Sequence, residues 1–584
     1  MKLYKLSLAL FLGFGAMSMT SCEDKLEVTN PNEQTTGTFG FTSDDLEECV
    51  IAAYHDLRME GSTGRVGYTI DAVRGDEVWN SSQVWYMPFD DMNDPVTDEI
   101  SFWPWREYYY AINVCNFILS RTTGDNAQLS ESMKRIKGQA LFIRGFAYYN
   151  LVGYYKDVPL ITDYSTYSSL DGLYGANNTS DEVLDQAEKD LKEAMELLPN
   201  RQAGGEWAKG RATCGAAAGY YARTLMFRHK YSEALEVLKD IIGGTKYGKY
   251  KLMANYGDNF REGSAYENND ESLFEVQYLD YGTQGVDDEW TPVNVSPNAT
   301  QGHAVESNFA PGDFGGWADL SASPWLYNLF KEERTTAGKL DPRLYWTLGT
   351  YEKEWEGFEN GNVAYTKKIT ATDTLRTNNN YGGIPIAKWT NMRTGLYSSV
   401  ATGLRCGINL RMMRYSDVLL RAAECENEVN GPTEQAIKWI NEVRQRAGLA
   451  DLKLEDFNTK DKLFEQIANV ERPKEFGCEN GRGMDLIRWG FFYDNGRLDQ
   501  LKEHGTFYKN KTIDVKTPVT YAQTKTDPEN VKSSYDTYLP GHEFLPIFQT
   551  LLNNNPNLKG NSANDGIDNS TDFFGRGWTV HPVV

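Results

Sequence analysis

Apolar and small side chains recur every three or four positions through much of the first half of this chain, the spacing of one face of an α-helix. In EYYYAINVCNFILS, Tyr108, Ile112, Cys115 and Leu119 fall on one side, and in SMKRIKGQALFIRGFAYY (132–149) Ile136, Ala140, Ile143 and Ala147 do the same. SDEVLDQAEKDLKEAMELLP opens on Ser180 as a candidate N-cap with an acidic first turn, and it closes at Pro199. Its Ala187, Leu191 and Ala194 share a face small enough for a neighbouring helix to come close.

GRATCGAAAGYYARTLMFRHKYSEALEVLKDII places Ala222, Leu225, Tyr231, Ala234 and Leu238 in the small, large, aromatic, small, large order of a tetratricopeptide helix pair. RYSDVLLRAAECENEVN followed by TEQAIKWINEVRQRAGL reads as a further pair. Generic antiparallel packing gives a similar period, so both readings lead to one expectation. The fold is mainly α, with tetratricopeptide-like pairs forming a right-handed helical scaffold over about 43–243 and 411–447. Between the pairs, about 60–106 and 245–410 lack long helical periodicity and are rich in Gly, Asn, Asp, Trp and Tyr. Inserts of that length are functional or disordered, and these hold too many aromatics for disorder, which predicts loop-rich functional inserts.

The first residues follow a different logic. Lys2 and Lys5 precede an apolar run that ends at Thr20, Ser21 and Cys22, the layout of a signal peptide over 1–21. A cut that leaves cysteine first resembles a bacterial lipobox, although Met19 stands where leucine is usual; ordinary secretion with an incidental cysteine is the alternative. Lipid on Cys22 would hold the protein on a membrane without crossing it. Glu23 and Asp24 resemble an acidic surface-export signal, and the polar stretch 22–42 reads as a tether with Pro31, Gly37 and Gly40.

Composition narrows the partners. Net charge is −23 over 584 residues, a surface that repels phosphate backbones and excludes nucleic acid as a partner. Cysteines 49, 115, 214, 406, 425 and 478 form no CxxC pair and read as buried thiols, with a disulfide still open outside the cytoplasm. The six histidines are scattered, and no HExxH, GxSxG, P-loop or Rossmann fingerprint occurs, so nothing implies a cofactor, a metal or a catalytic centre. DDMNDPVTDE (90–99) lacks the glycine and glutamate of an EF-hand loop and reads as a solvated acidic loop.

Aromatics make up 13% of the chain, many in clusters outside any helical period. Sugar rings present C–H faces that lie on indole and phenol rings, and hydroxyl edges that bond to short polar side chains. DEVWNSSQVWYMPFDD (76–91) supplies Trp79, Trp85 and Tyr86 beside Asn80, Ser81, Ser82 and Gln83. With Trp290, these three rings are the predicted ligand-binding residues. Tyr278, Tyr281, Trp317 and Trp325 are less regularly placed, and Trp103 and Trp105 should pack against the helix they precede.

Seven motifs in order give the chain a wider resemblance: the lipobox at Cys22, LFIRGFAYYNLVGYYKDVPLIT (141–162), GRATCGAAAGYYAR (210–223), NNDESLFEVQY (268–278), RYSDVLLRAAE (414–424), DLIRWG (485–490) and LPIFQTLLNNNPNL (545–558). Together they resemble the SusD/RagB family of nutrient-binding outer-membrane lipoproteins. Pro473 in NVERPKEF stands where the family continues a helix and should kink or delay it, and Phe548 replaces a common proline. Asp485 and Arg488 can pair on one helix face, which makes DLIRWG a lock between helices.

The resemblance implies a single SusD-like domain over 43–584, with a C-terminal segment at 448–584. It also implies lipid anchoring at the cell surface, a SusC-like TonB-dependent transporter as partner, and capture of oligo- or polysaccharide without a covalent step. A peptide receptor of the same architecture and a carbohydrate-active hydrolase are the alternatives.

Overall fold

The computed structural model describes residues 42–584 except 82, 170–171, 173, 281–301, 351, 356–382, 394–404, 480, 511–512 and 566–579. The signal peptide, Cys22 and the tether up to residue 41 lie outside the described residues, as do Tyr281 and Trp290.

Helices carry the architecture. Along the chain come α1 (Ser43–Leu57), α2 (Arg65–Val73), α3 (Trp103–Arg121), α4 (Glu131–Tyr155), α5 (Ser180–Leu197), α6 (Cys214–Phe227) and α7 (Tyr231–Gly243). After a long insert follow α8 (Tyr415–Asn430), α9 (Glu434–Arg446), α10 (Lys460–Gln466), α11 (Arg472–Phe476) and α12 (Arg482–Arg488). Contacts run in series: α1 on α3, α3 on α4, α4 on α5, α5 on α6, α6 on α7. The series then crosses the insert, with α7 packing on α8 and α8 on α9.

The periodic faces are the buried ones. Ile136, Ala140, Ile143 and Ala147 of α4 are fully or almost fully buried, as are Ala187, Leu191 and Ala194 of α5. Where these helices cross, a Cβ on Gly145 would stand 2.8 Å from Leu191 Cγ and 3.2 Å from the Ala187 carbonyl, so glycine sets the closeness of the pair. Ala222, Leu225, Ala234 and Leu238 are buried and Tyr231 half-buried. The α5 cap sits one residue earlier than expected. Thr179, not Ser180, is the N-cap, closing a capping box with Glu182.

The inserts are less loop-like than their composition predicts. All nine residues of α2 are buried. A helix covered on every side needs no polar face, so it shows no amphipathic period and is invisible to a pattern search. Within 245–410, Val305–Phe309, Pro324–Lys331 and Pro342–Thr347 are short helices set mostly in the core.

Strands come in antiparallel pairs: β1 (Val78–Asn80) with β3 (Leu320–Ala322), β2 (Ser272–Val276) with β4 (Leu410–Arg414), and β5 (Thr506–Tyr508) with β6 (Val531–Ser533). The first pair ties the early insert to the late one.

Pro473 has the local effect its chemistry requires. A π turn at Ile467–Glu471 follows α10, and α11 resumes at Arg472 with the proline in its first turn, where a missing N–H matters least. Phe548 stacks on Phe102, ring centroids 5.4 Å apart.

DLIRWG and RYSDVLLRAAE meet in a buried ion network. Arg488 Nε is 2.7 Å from Asp485, and its two Nη atoms reach Glu424 on α8 at 2.5 and 2.8 Å. Arg472 spans Asp485 and Asp417, and Arg421 and Arg223 also close on Asp417. Burial alone would raise the Asp485 carboxyl, but Arg472, Arg488 and Arg421 hold it well below the usual carboxylate range. All six described cysteines are buried free thiols.

Candidate functional site

The β1–β3 ribbon builds the site. Val78, Trp79 and Asn80 pair with Ala322, Ser321 and Leu320, and Ser81 N–H extends the ladder to the Asp319 carbonyl at 2.8 Å. Beyond the ribbon the chain turns sharply. Asn80 brackets that turn from both sides: its Oδ1 accepts from Gln83 N–H at 2.9 Å and its Nδ2 donates to the Gln83 carbonyl at 2.8 Å. Gln83 then caps a 3₁₀ turn at Val84–Tyr86.

On the other strand, Trp317 donates its backbone N–H to the Ser307 carbonyl at 2.6 Å, and Ala318, with φ +53°, swings the chain into β3. Trp85 and Trp317, distant in sequence, thus flank one cation. The Arg65 guanidinium carbon is 5.4 Å from the Trp85 ring centre and 5.3 Å from that of Trp317, a double cation–π contact. Arg65 itself is buried, with Nε 3.5 Å from Glu60. Both indoles are half-buried, so each keeps part of its surface open. Beside them Val84 is 74% exposed and Met87 46% exposed.

The predicted rings divide sharply. Trp79 is 3% exposed and stacks on Phe507 at 3.9 Å and 12°, with its indole N–H donated to the Ala322 carbonyl at 3.2 Å. Val78 beside it is buried as well, so the strand is covered on both faces; Trp79 is a packing residue and the expectation of an open face is corrected. Tyr86 is corrected likewise. It is fully buried beneath Trp85, ring centres 3.7 Å apart, and its hydroxyl is held by Thr69 at 2.5 Å and Asn308 at 2.6 Å.

Trp85 alone of the three keeps an accessible surface. Trp317, its partner across the site, was not among the predicted residues; the lone WADL stretch gave no sign of what lies opposite. Tyr278 is buried against His303, and half-buried Trp325 stacks on His504 at 3.8 Å. Trp103 and Trp105 are buried in the first turn of α3, as expected.

The acidic stretch 90–99 is also corrected: two of its carboxylates are not solvated. Asp90 is buried and accepts Asn80 N–H at 3.0 Å, and burial pushes its carboxyl up to about 7. Asp94 is buried against Arg74 at 2.7 Å. Asp90 thus braces the start of the turn that carries Trp85.

Other buried carboxyls raised by desolvation serve similar structural roles. Glu107, at about 7, accepts from Gly61 and Ser62 N–H, and Glu306, at about 7, accepts from Asn391. Among the described residues no group of three or more His, Cys, Asp or Glu is placed to hold a metal ion.

The family model described as "SusD family" matches residues 270–565, and one described as "Starch-binding associating with outer membrane" matches 24–226. A SusD-like protein of Formosa agariphila, P25, is 25% identical over 572 residues, covering 91% of this chain and 98% of that protein. Among solved structures, a SusD superfamily protein from Bacteroides vulgatus aligns with a TM-score of 0.68 at 25% identity, covering 90% of this chain and all of that one. Surface glycan-binding protein A from Bacteroides thetaiotaomicron, solved in complex with laminarihexaose, aligns at 0.62 with 22% identity, covering 89% and 99%.

Proposed function

The chain belongs to the SusD family, and from that premise we propose that it is a cell-surface lipoprotein that captures oligo- or polysaccharide and delivers it to a SusC-like TonB-dependent transporter. One observation carries the binding half of this reading: Trp85 and Trp317 flank the buried Arg65 guanidinium and keep part of each indole open. Rings fixed in this way meet a saccharide with their exposed surface at little loss of side-chain freedom. The laminarihexaose complex of a protein with this fold supports a saccharide ligand. The family description of association with the outer membrane supports the address, and among the described residues no helix is long and apolar enough to cross a membrane. In this reading the anchor is lipid on Cys22, which the lipobox-like stretch before it supports.

No covalent step is part of the reading. Binding per sugar is weak on a shallow platform and is strengthened when a long chain engages repeatedly. The test is retardation of the purified protein in gels cast with a panel of polysaccharides. At least one should slow migration without releasing reducing sugar. Trp85→Ala combined with Trp317→Ala should weaken that retention at least tenfold, about 1.4 kcal/mol, in a variant that circular dichroism shows to be folded at the assay temperature. Undiminished retention by the double variant would remove these rings from the site, and reducing-sugar release would make the protein a hydrolase.

A further inference from the structure

A cavity of about 30 Å³ lies deep in the molecule, between β4 with α8 on one side and α11 with α12 on the other. Its wall is rich in cations: Arg223, Arg411, Arg414, Arg421, Arg472 and Arg482 all line it. Facing them are the carboxyls of Glu77, Asp417, Glu479 and Asp485. Burial pushes Glu77 up to about 8, so at neutral pH that carboxyl brings no full negative charge. Behind this wall, Glu275, Glu271 with Glu475, and Asp76 hold Arg411, Arg414 and Arg482 in place.

Two guanidinium nitrogens of this wall are buried without a hydrogen-bond partner among the described residues, Arg411 Nε, which lies 3.3 Å from Glu275, and Arg421 Nη1. Arg421 is 3% exposed; its Nε donates to Asp417 at 2.8 Å and its Nη2 to Asp485 at 3.3 Å. Its Nη1 is buried with no hydrogen-bond partner among the described residues. A buried charged donor left unmatched is unfavourable, so an acceptor belongs beside it. The oxygens of Asp417, Asp485 and Glu479 are already engaged, each accepting from at least one arginine. A water there would accept from Nη1 and turn its own hydrogens toward carboxylate oxygens that arginines already engage. A halide only accepts. Of the residues lining it, Arg223, Phe476 and Gly481 are half-buried.

We propose that this cavity is a binding site for one monovalent anion of chloride's size, bound by Arg421 and the arginines around it. The site is separate from the Trp85–Trp317 platform and stands or falls independently of the saccharide reading. Bound there, the ion would tie β4 and α8 to α11 and α12, and would stabilise the native state by mass action.

Bromide is the probe. Crystals of the wild-type protein grown or soaked in sodium bromide should give an anomalous peak inside the cavity, within hydrogen-bond reach of Arg421 Nη1. In solution, the melting temperature should be higher in sodium chloride than in sodium gluconate at matched ionic strength, with bromide substituting for chloride. Arg421→Met, once shown by circular dichroism to be folded, should lose that difference. Ordinary water density with no anomalous signal overturns the proposal, and so does a wild-type melting temperature that is the same in both salts.

Discussion

Trp79 stacks on Phe507 and is covered, whereas Trp85 in the same loop keeps part of its indole open. Trp79→Ala should therefore cost about 3–5 kcal/mol of stability, read by chemical denaturation, and any loss of saccharide binding should follow from unfolding. His303 makes a second prediction at this scale. It is buried, with Nε2 2.8 Å from the Ile408 carbonyl, while its Nδ1 accepts from Val305 N–H.

Burial lowers its pKa from 6.5 to about 4. Between those values the unfolded chain binds a proton that the folded protein refuses, so this histidine's contribution is present above pH 6.5 and lost as pH falls toward 4. Glu77, Glu107 and Glu306 titrate in the opposite sense, because their folded values are raised. The difference between wild type and His303→Gln isolates the effect. Between pH 6.5 and 4.5 the variant should lose about 2 kcal/mol less than wild type; parallel losses would refute the assignment.

Between elements, the α4–α5 crossing and the α8–α12 ion network join the helices by different physics. The first is a matter of volume. Gly145→Val should push Leu191 and the Ala187 carbonyl away, lowering stability by about 1–3 kcal/mol, visible as a lower denaturant midpoint with an unchanged slope. The second is a matter of charge. Arg472 bonds both Asp417 and Asp485 in the interior. Arg472→Met removes a shared partner from two buried carboxylates and should destabilise by about 3–5 kcal/mol, with α11 losing hydrogen-exchange protection first.

Over the whole molecule, the helical series closes across a long insert, α7 directly on α8, and the insert folds back to bring Trp317 to Arg65 opposite Trp85. A platform assembled from two distant segments depends on the frame beneath it. Membrane attachment is expected to be independent of that frame. Cys22→Ala should move the protein from the outer-membrane fraction into the soluble one without changing its melting temperature, a result checked by fractionation and immunoblotting.

Periodicity along the chain was sufficient for the scaffold. Amphipathic faces such as Ile136, Ala140, Ile143 and Ala147 record burial against one neighbour, and the ordered motifs identify the family. The same reasoning failed at α2, because burial on every side erases the contrast on which periodicity depends. It also failed at Trp79 and Tyr86. Composition marks a segment as rich in rings, but which ring faces water is decided by what packs against it in the folded chain. The convergence of Trp85 and Trp317 on Arg65 is a property of the folded chain alone, because it rests on the register of β1 against β3.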